Sequence, residues 1–489
     1  MTRPVTRREL LRVGGLGSMV AFLAACQPKV VEKVVEKEVT KIVKEVVKET
    51  IIVEGTPQVV EREVTRVVEA TKVPEATAAP PAAVEGHVVI MKTGGEFSEE
   101  ALEQFEADNP GITVETVQTD TIRFFAMYAA GTPPDLMRTQ APAIPQYLAR
   151  KMLYDLTPYF EISDVLNLDD LAPANNYYRA YSPLEIGDGP IYGTCKDWSP
   201  DFTMFIYKPA FEDAGLDVPD DTVHLTYQEV FELARQLAVF EGDRILMWGY
   251  GYDGAWTDRM WMNMLAELDV SLYTEGSSTI NLSSDEARAV IKYYFDLASE
   301  NLGTNPLNPS PSWIGEDFTK GTLGICQYGF WFGAMAESDV TAGQAMMLPT
   351  ATWAGVPRDP TMTATGFIMA AATKVPDAAW RVFEWYMGEQ PALDRAKSGW
   401  GVPALKSMYD LIPNETEYEQ QKFRVLQAEL ALETTPLQFN PFLTEGAIPD
   451  SWTKNLEQAL LGAITFDECL ANVEAEVNAA IRDGIDRIA

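Results

Sequence analysis

From Gly86 onward the hydrophobic pattern alternates between two periods. HVVIMK (87–92) is a β-branched run that stops at Gly94-Gly95, and EEALEQFEADNP (99–110) then places Ala101, Leu102 and Phe105 on one helical face, with Asn109-Pro110 as its stop. The alternation repeats: ITVETVQT (112–119) predicts a strand, IRFFAMYAAG (122–131) a helix and PPDLMRT (133–139) a third strand. Strands alternating with helices imply an α/β fold, a parallel sheet whose ligands sit in loops beyond the carboxyl ends of the strands. Those loops begin at Thr93, Thr119 and Thr139.

Before Gly86 the texture is different. TRRELLRVGGLGSMVAFLAAC (6–26) carries Arg7, Arg8 and Arg12 ahead of an apolar run, Val13 to Ala25, too short to span a bilayer. Residues 1–25 read as an export signal that resembles the twin-arginine type, with general export as the alternative. Leu23-Ala24-Ala25-Cys26 resembles a lipobox, which makes Cys26 the lipid attachment site; the alternative is an ordinary secretory signal with a chance cysteine. Residues 26–85 form a low-complexity Val/Glu/Lys tract. Val31, Val35, Val39, Val43 and Val47 suit an amphipathic or coiled-coil helix, whereas the β-branched content and the Pro/Ala tail suit a weakly structured, extended stalk, which is the expectation taken here.

Composition narrows the chemistry. The chain has 489 residues, 46% hydrophobic, enough for two lobes or domains with substantial cores. Residues 86–489 hold 25 Lys or Arg against 60 Asp or Glu. Such a body repels nucleic acid and anionic head groups alike, so any attachment to a membrane would depend on lipid at Cys26. Without Cys26, three cysteines remain, Cys195, Cys326 and Cys469, with no paired spacing, so one disulfide at most is available. His87 and His224 belong to no ligand-spaced cluster, and neither a metal site nor a Ser-His triad is implied. Both read as surface or loop residues.

Several segments carry a resemblance. FEADNPGITVETV (105–117), MYAAGTPPDLMRT (127–139), YGTCKDWSPDFTMFIYKPAFEDAGLDVP (192–219), LTYQEVFELARQLA (225–238), FTKGTLGICQYGFWFGAM (318–335) and VPDAAWRVFEWYMGEQPALDRAKSGWGVPALKSM (375–408) resemble, in that order, bacterial extracellular solute-binding proteins of family 1. Lys208 directly after Tyr207, and His224 where the family commonly has Trp, depart from its pattern. The resemblance implies a two-lobed periplasmic-binding-protein fold of the class II type, with a ligand cleft between lobes joined by crossing strands. By position, residues 86–197 plus 350–387 would form lobe 1 and residues 203–345 plus 389–489 lobe 2. The crossings would fall near Cys195 to Thr203, Met346 to Thr352 and Tyr386 to Glu389. Closure around a ligand that touches both lobes is the implied mechanism.

The stretch WGYGYDGAWTDRMW (248–261) has two readings. Gly249, Gly251 and Gly254 have the spacing of a dinucleotide fingerprint, but Tyr250 and Tyr252 fill its gaps, and Glu267 and Asp269 lie closer than the ribose-binding acid expected about 20 residues on. The rings suit a sugar better, because a sugar has an apolar C–H face to stack on and a rim of hydroxyls for carboxylates, amides or Arg. The resemblance adds Trp256 and Arg259 here, Trp331 in QYGFWFGAM, Trp400 in SGWGVPA and Trp452 in SWTKNLEQALLGAI as candidate ligand contacts. From the strand ends come Glu96, Asp120, Arg138 and Gln140, and from the first crossing Asp197 and Trp198; a helix cap is a rival role for Asp120.

Three functions compete. The first is a lipid-anchored, monomeric receptor that hands a small-molecule solute to the permease and ATPase subunits of an ABC importer, with no cofactor and no catalysis. Its ligand would be a sugar or oligosaccharide, or alternatively another polar solute such as a polyamine. The second is an exported glycoside hydrolase, which needs two carboxylates about 5 to 9 Å apart. The third, a structural surface protein, has only the stalk in its favour.

Overall fold

The computed structural model describes residues 41–53, 56–68, 84–242, 244–432 and 435–488. The chain forms two units, Met1–Ala82 and Ala83–Ala489. In the first, Lys41–Val53 and Thr56–Val68 pair as an antiparallel hairpin, in register from Val53↔Thr56 out to Lys41↔Val68. The helix reading is not what forms, and the extended stalk is paired instead of weakly structured: valine and isoleucine favour extended backbone, and two such runs of equal length can satisfy each other's amides. The export signal and Cys26 lie outside the described residues.

The second unit contains two five-stranded sheets. The first has the order Ile112–Gln118, Gly86–Lys92, Leu136–Thr139, Gly366–Met369, Gly193–Cys195, with the first three strands parallel and Gly366–Met369 antiparallel to both neighbours. The helices Glu99–Asp108 and Thr121–Ala129 lie where the periodicity predicts them, capped by the Ser98 and Asp120 side chains. The second sheet has the order Val239–Glu241, Arg244–Gly251, Leu323–Gln327, Met204–Tyr207, Ala345–Leu348. Tyr227–Leu237 packs on it through Val230, Ala234 and Leu237, and begins with a capping box between Thr226 and Glu229.

Three connections join the sheets. The chain passes from Cys195 to Met204, returns from Leu348 to Gly366, and leaves the first sheet again after Val402–Pro403, which pairs with Asp197–Trp198. Asp201 pins the first two together. Its buried carboxylate accepts from Ser199 Oγ at 2.5 Å, Thr361 Oγ1 at 2.9 Å and the Met362 amide at 2.6 Å. The third crossing is therefore not at Tyr386 to Glu389, which closes the helix Pro376–Gly388. The lobe boundary moves with it. The helix Gln390–Ser398 buries Ala392 and Ala396 in the core of the first sheet, with Leu405 and Met408, while Val402 and then Ile412, Val425 and Leu426 pack on the second. Thr352, assigned to lobe 1, instead bonds through its amide to Leu225 O beside the second sheet.

Candidate functional site

The carboxyl ends of the parallel strands of both sheets, with the three connections, define one region. On the first sheet the loop after Lys92 presents Glu96, the strand Leu136–Thr139 presents Arg138, and the chain after Cys195 presents Lys196 and Asp197. They form one chain of charges. Glu96 accepts from Arg138 Nε at 2.7 Å and Thr93 Oγ1 at 2.7 Å, and also from the Tyr386 hydroxyl. Lys196 Nζ lies 3.6 Å from Glu96 and 2.5 Å from Asp197. Burial pushes the Glu96 carboxyl up, but the Lys196 ammonium, the two hydroxyls and the Arg138 guanidinium outweigh it, and the net is below the usual carboxylate range. Glu96, Arg138, Lys196, Asp197 and Trp400 line one cavity of about 720 Å³. Arg138 also borders a second, of about 450 Å³, with Gln140, Tyr147 and Glu445.

The second sheet offers rings instead. Trp256 lies edge-on to Tyr328, with centroids 5.6 Å apart; Tyr328 meets Trp331 at 5.2 Å; Trp331 stacks parallel to Trp313 at 6.4 Å. The run reaches the other lobe, because Trp331 lies 5.9 Å from Trp400, which is 43% exposed. Trp256, Trp313 and Trp331 are each half-buried. Such rings suit a flat, partly apolar ligand, and the paired charges of the cavity bordered by Trp400 suit its polar rim.

Other candidates have different roles. Asp120 is exposed and caps Thr121–Ala129, accepting from the Arg123 amide at 2.8 Å, so the cap reading holds. Arg259 is buried, donates to Met362 O at 3.1 Å, pairs with Glu445 and lies 5.6 Å from the Trp256 ring centre; it supports that ring from behind. Trp198 does not join Asp197. Consecutive strand residues face opposite ways, and Trp198 turns to the far side of the connections, its indole donating to Pro403 O at 3.2 Å. Trp452 is a core residue, 2% exposed and edge-on to Trp261 at 5.2 Å. Gly249 lies inside a strand, where a Cβ would collide with the backbone of Ala234, so this glycine serves helix-on-sheet packing and the dinucleotide reading fails.

The sequence reading missed Lys196, Tyr328, Trp313 and Glu445. Lys196 had a usable signal, since it immediately precedes Asp197 in the first crossing. The others come from loops whose proximity to Trp256 and Arg259 is set by the fold. Cys195, Cys326 and Cys469 are free and buried. Among the described residues, no group of three or more His, Cys, Asp or Glu side chains could hold a metal ion, and no helix is long and apolar enough to cross a membrane.

Two α/β lobes joined by three crossings, one with a charged cavity bordered by Trp400 and the other with a ring run that reaches Trp400, define a solute-binding architecture. The model of the family described as bacterial extracellular solute-binding protein matches residues 91–392, and the chain belongs to that family. Among solved structures, it is similar to an ABC substrate-binding protein from Listeria monocytogenes in complex with cycloalternan: 18% identity, TM-score 0.66, covering 81% of this chain and 99% of that one. It is also similar to the sugar-binding protein MalE from Xanthomonas citri (15%, 0.63, 81% and 98%) and to a putative oligosaccharide periplasmic-binding protein from Synechococcus (15%, 0.64, 82% and 100%). At these identities the likeness is one of fold. No curated protein sequence matches the chain.

Proposed function

We propose that the protein is a monomeric extracytoplasmic receptor of an ABC importer, tethered by lipid on Cys26, that closes its lobes on a sugar or oligosaccharide and delivers it to permease and ATPase subunits. The observation that carries this reading is the ring run from Trp256 through Tyr328 and Trp331 to Trp400, the last of which lines the same cavity as the Glu96–Arg138–Lys196–Asp197 cluster. The fold relatives support it, since they include proteins solved with cycloalternan, maltose and mannotriose. In this reading, a ligand that stacks on one lobe and hydrogen-bonds the other stabilises closure through its contacts to both.

The polyamine alternative needs uncompensated carboxylates, whereas Glu96 and Asp197 are already paired with Arg138 and Lys196. A glycoside hydrolase needs an acid whose proton is held near neutral pH, and the Glu96 carboxyl is shifted the other way. Calorimetric titration of the purified protein with maltotriose, mannotriose and spermidine tests the reading. Saturable sugar binding without products over hours supports it; sugar cleavage, or binding of spermidine alone, overturns it. Membrane fractionation of Cys26→Ser tests the anchor, and a variant still held firmly in the membrane would refute it.

A further inference from the structure

The turn that carries Trp331 rests on a buried lysine. Lys422, on the helix Glu417–Leu430, is 5% exposed. Its ammonium lies 4.6 Å from the centre of the Phe330 ring and 5.6 Å from that of Tyr418. The stem runs directly against Gly333, where a Cβ would meet Nζ at 3.1 Å and Cε at 3.2 Å. Tyr418 adds a second tie by donating its hydroxyl to Gly333 O at 3.0 Å. The short helix Phe330–Ala334 is thus held at both ends on its inner side, by Phe330 and Gly333, while Trp331 between them turns outward to Trp313 and Trp400.

We propose that Lys422 is a positioning residue for solute binding: its ammonium, seated between the Phe330 and Tyr418 rings, sets the orientation of the Phe330–Ala334 turn and through it the angle at which Trp331 meets the ligand. The proposal rests on Trp331 being a ligand-stacking ring. The physical basis is that a ring attracts the ammonium through its quadrupole and the neutral amine far less. A methionine would fill the same slot without desolvating a charge, so the ammonium contributes orientation at some cost in stability.

The charged groups facing it are Glu419 on its own helix and Glu337 just beyond the short helix; the Tyr418 phenol, raised by burial, stays neutral. Burial pushes the Lys422 ammonium down to about 8, against both carboxylates, which pull it up. The charge seated between the two rings is therefore lost in an accessible pH range.

The test is fluorine NMR of the ligand-free full-length chain carrying 5-fluorotryptophan, with the Trp331 resonance identified by its loss in Trp331→Phe. The resonance is expected to move with a midpoint near pH 8. In Lys422→Met that movement should vanish, and in Glu337→Gln the midpoint should fall, because one carboxylate that favours the ammonium is gone. A Trp331 resonance that stays flat through pH 8 in the unaltered protein, or titrates identically in Lys422→Met, overturns the proposal. If Lys422→Met does not fold, an unmoved midpoint in Glu337→Gln overturns it equally. No ligand enters this measurement, so its failure is distinct from failure of the solute-binding reading, which the sugar titrations decide.

Discussion

The cleft end of the first sheet carries Glu96, Arg138, Lys196 and Asp197 in one chain of ion pairs, whereas that of the second carries Trp256, Tyr328, Trp331 and Trp313 in mutual contact. The first arrangement is directional: each charge is held by another, so the donors and acceptors left for a ligand are already aimed. The second is tolerant in direction, since a ring face accepts an apolar surface over a range of angles. On the proposed function, the difference is a division of labour in which one lobe sets the ligand's register and the other supplies area.

That division can be broken or sharpened by substitution. The largest effect is expected outside the cleft: Trp452→Ala should cost about 4 kcal/mol of stability, the range for emptying a large core site, and leave sugar affinity unchanged. Reduced affinity in folded protein would return Trp452 to the site. Next, Glu96→Ala leaves Lys196 and Arg138 without their shared anion and should cost about 3 kcal/mol in denaturant melts at neutral pH. Because the folded carboxyl titrates below the ordinary value, its contribution is present above the usual carboxylate range and is lost as pH falls through the lowered value. A variant with the same acid sensitivity as the parent would contradict this.

Trp331→Ala should weaken sugar binding by about 2 kcal/mol, with Trp256→Ala costing less, since Arg259 already occupies one side of that ring. Calorimetry with melting measured alongside decides; a lowered melting temperature with unchanged affinity would make these rings core. Lys422→Met should raise stability at pH 7 by about 1 to 2 kcal/mol. The unaltered protein binds fewer protons folded than unfolded between about 8 and the unfolded lysine value of about 10.4, so part of its stability rises with pH there, and the variant should lack that rise. Smallest is Asp120→Ala, about 1 kcal/mol for the lost cap, with affinity intact.

Much of the first lobe was legible because its signals are local. The strands at 86–92 and 112–118, the helix from 99 to 108 and the Asp120 cap each follow from a few adjacent residues. Ring-rich loops were legible as well, but not which rings face the cleft. Trp452 and Trp331 follow equally suggestive motifs, yet one packs on Trp261 and the other stays half open. The hairpin at 41–68 was misread because the same valine spacing fits a helix face and paired strands, and pairing depends on a second run many residues away.

The sequence by itself determined the alternation of strands and helices, the acidic body and the presence of charged and aromatic loops at strand ends, all consequences of residue type and short spacing. Only the tertiary structure decided that Asp197 and Trp198 part company, that the third crossing follows Val402–Pro403, and that a lysine on the helix Glu417–Leu430 lies behind Trp331. These depend on contacts between residues tens to hundreds of positions apart, whose closure is governed by how the two sheets pack and not by any local preference.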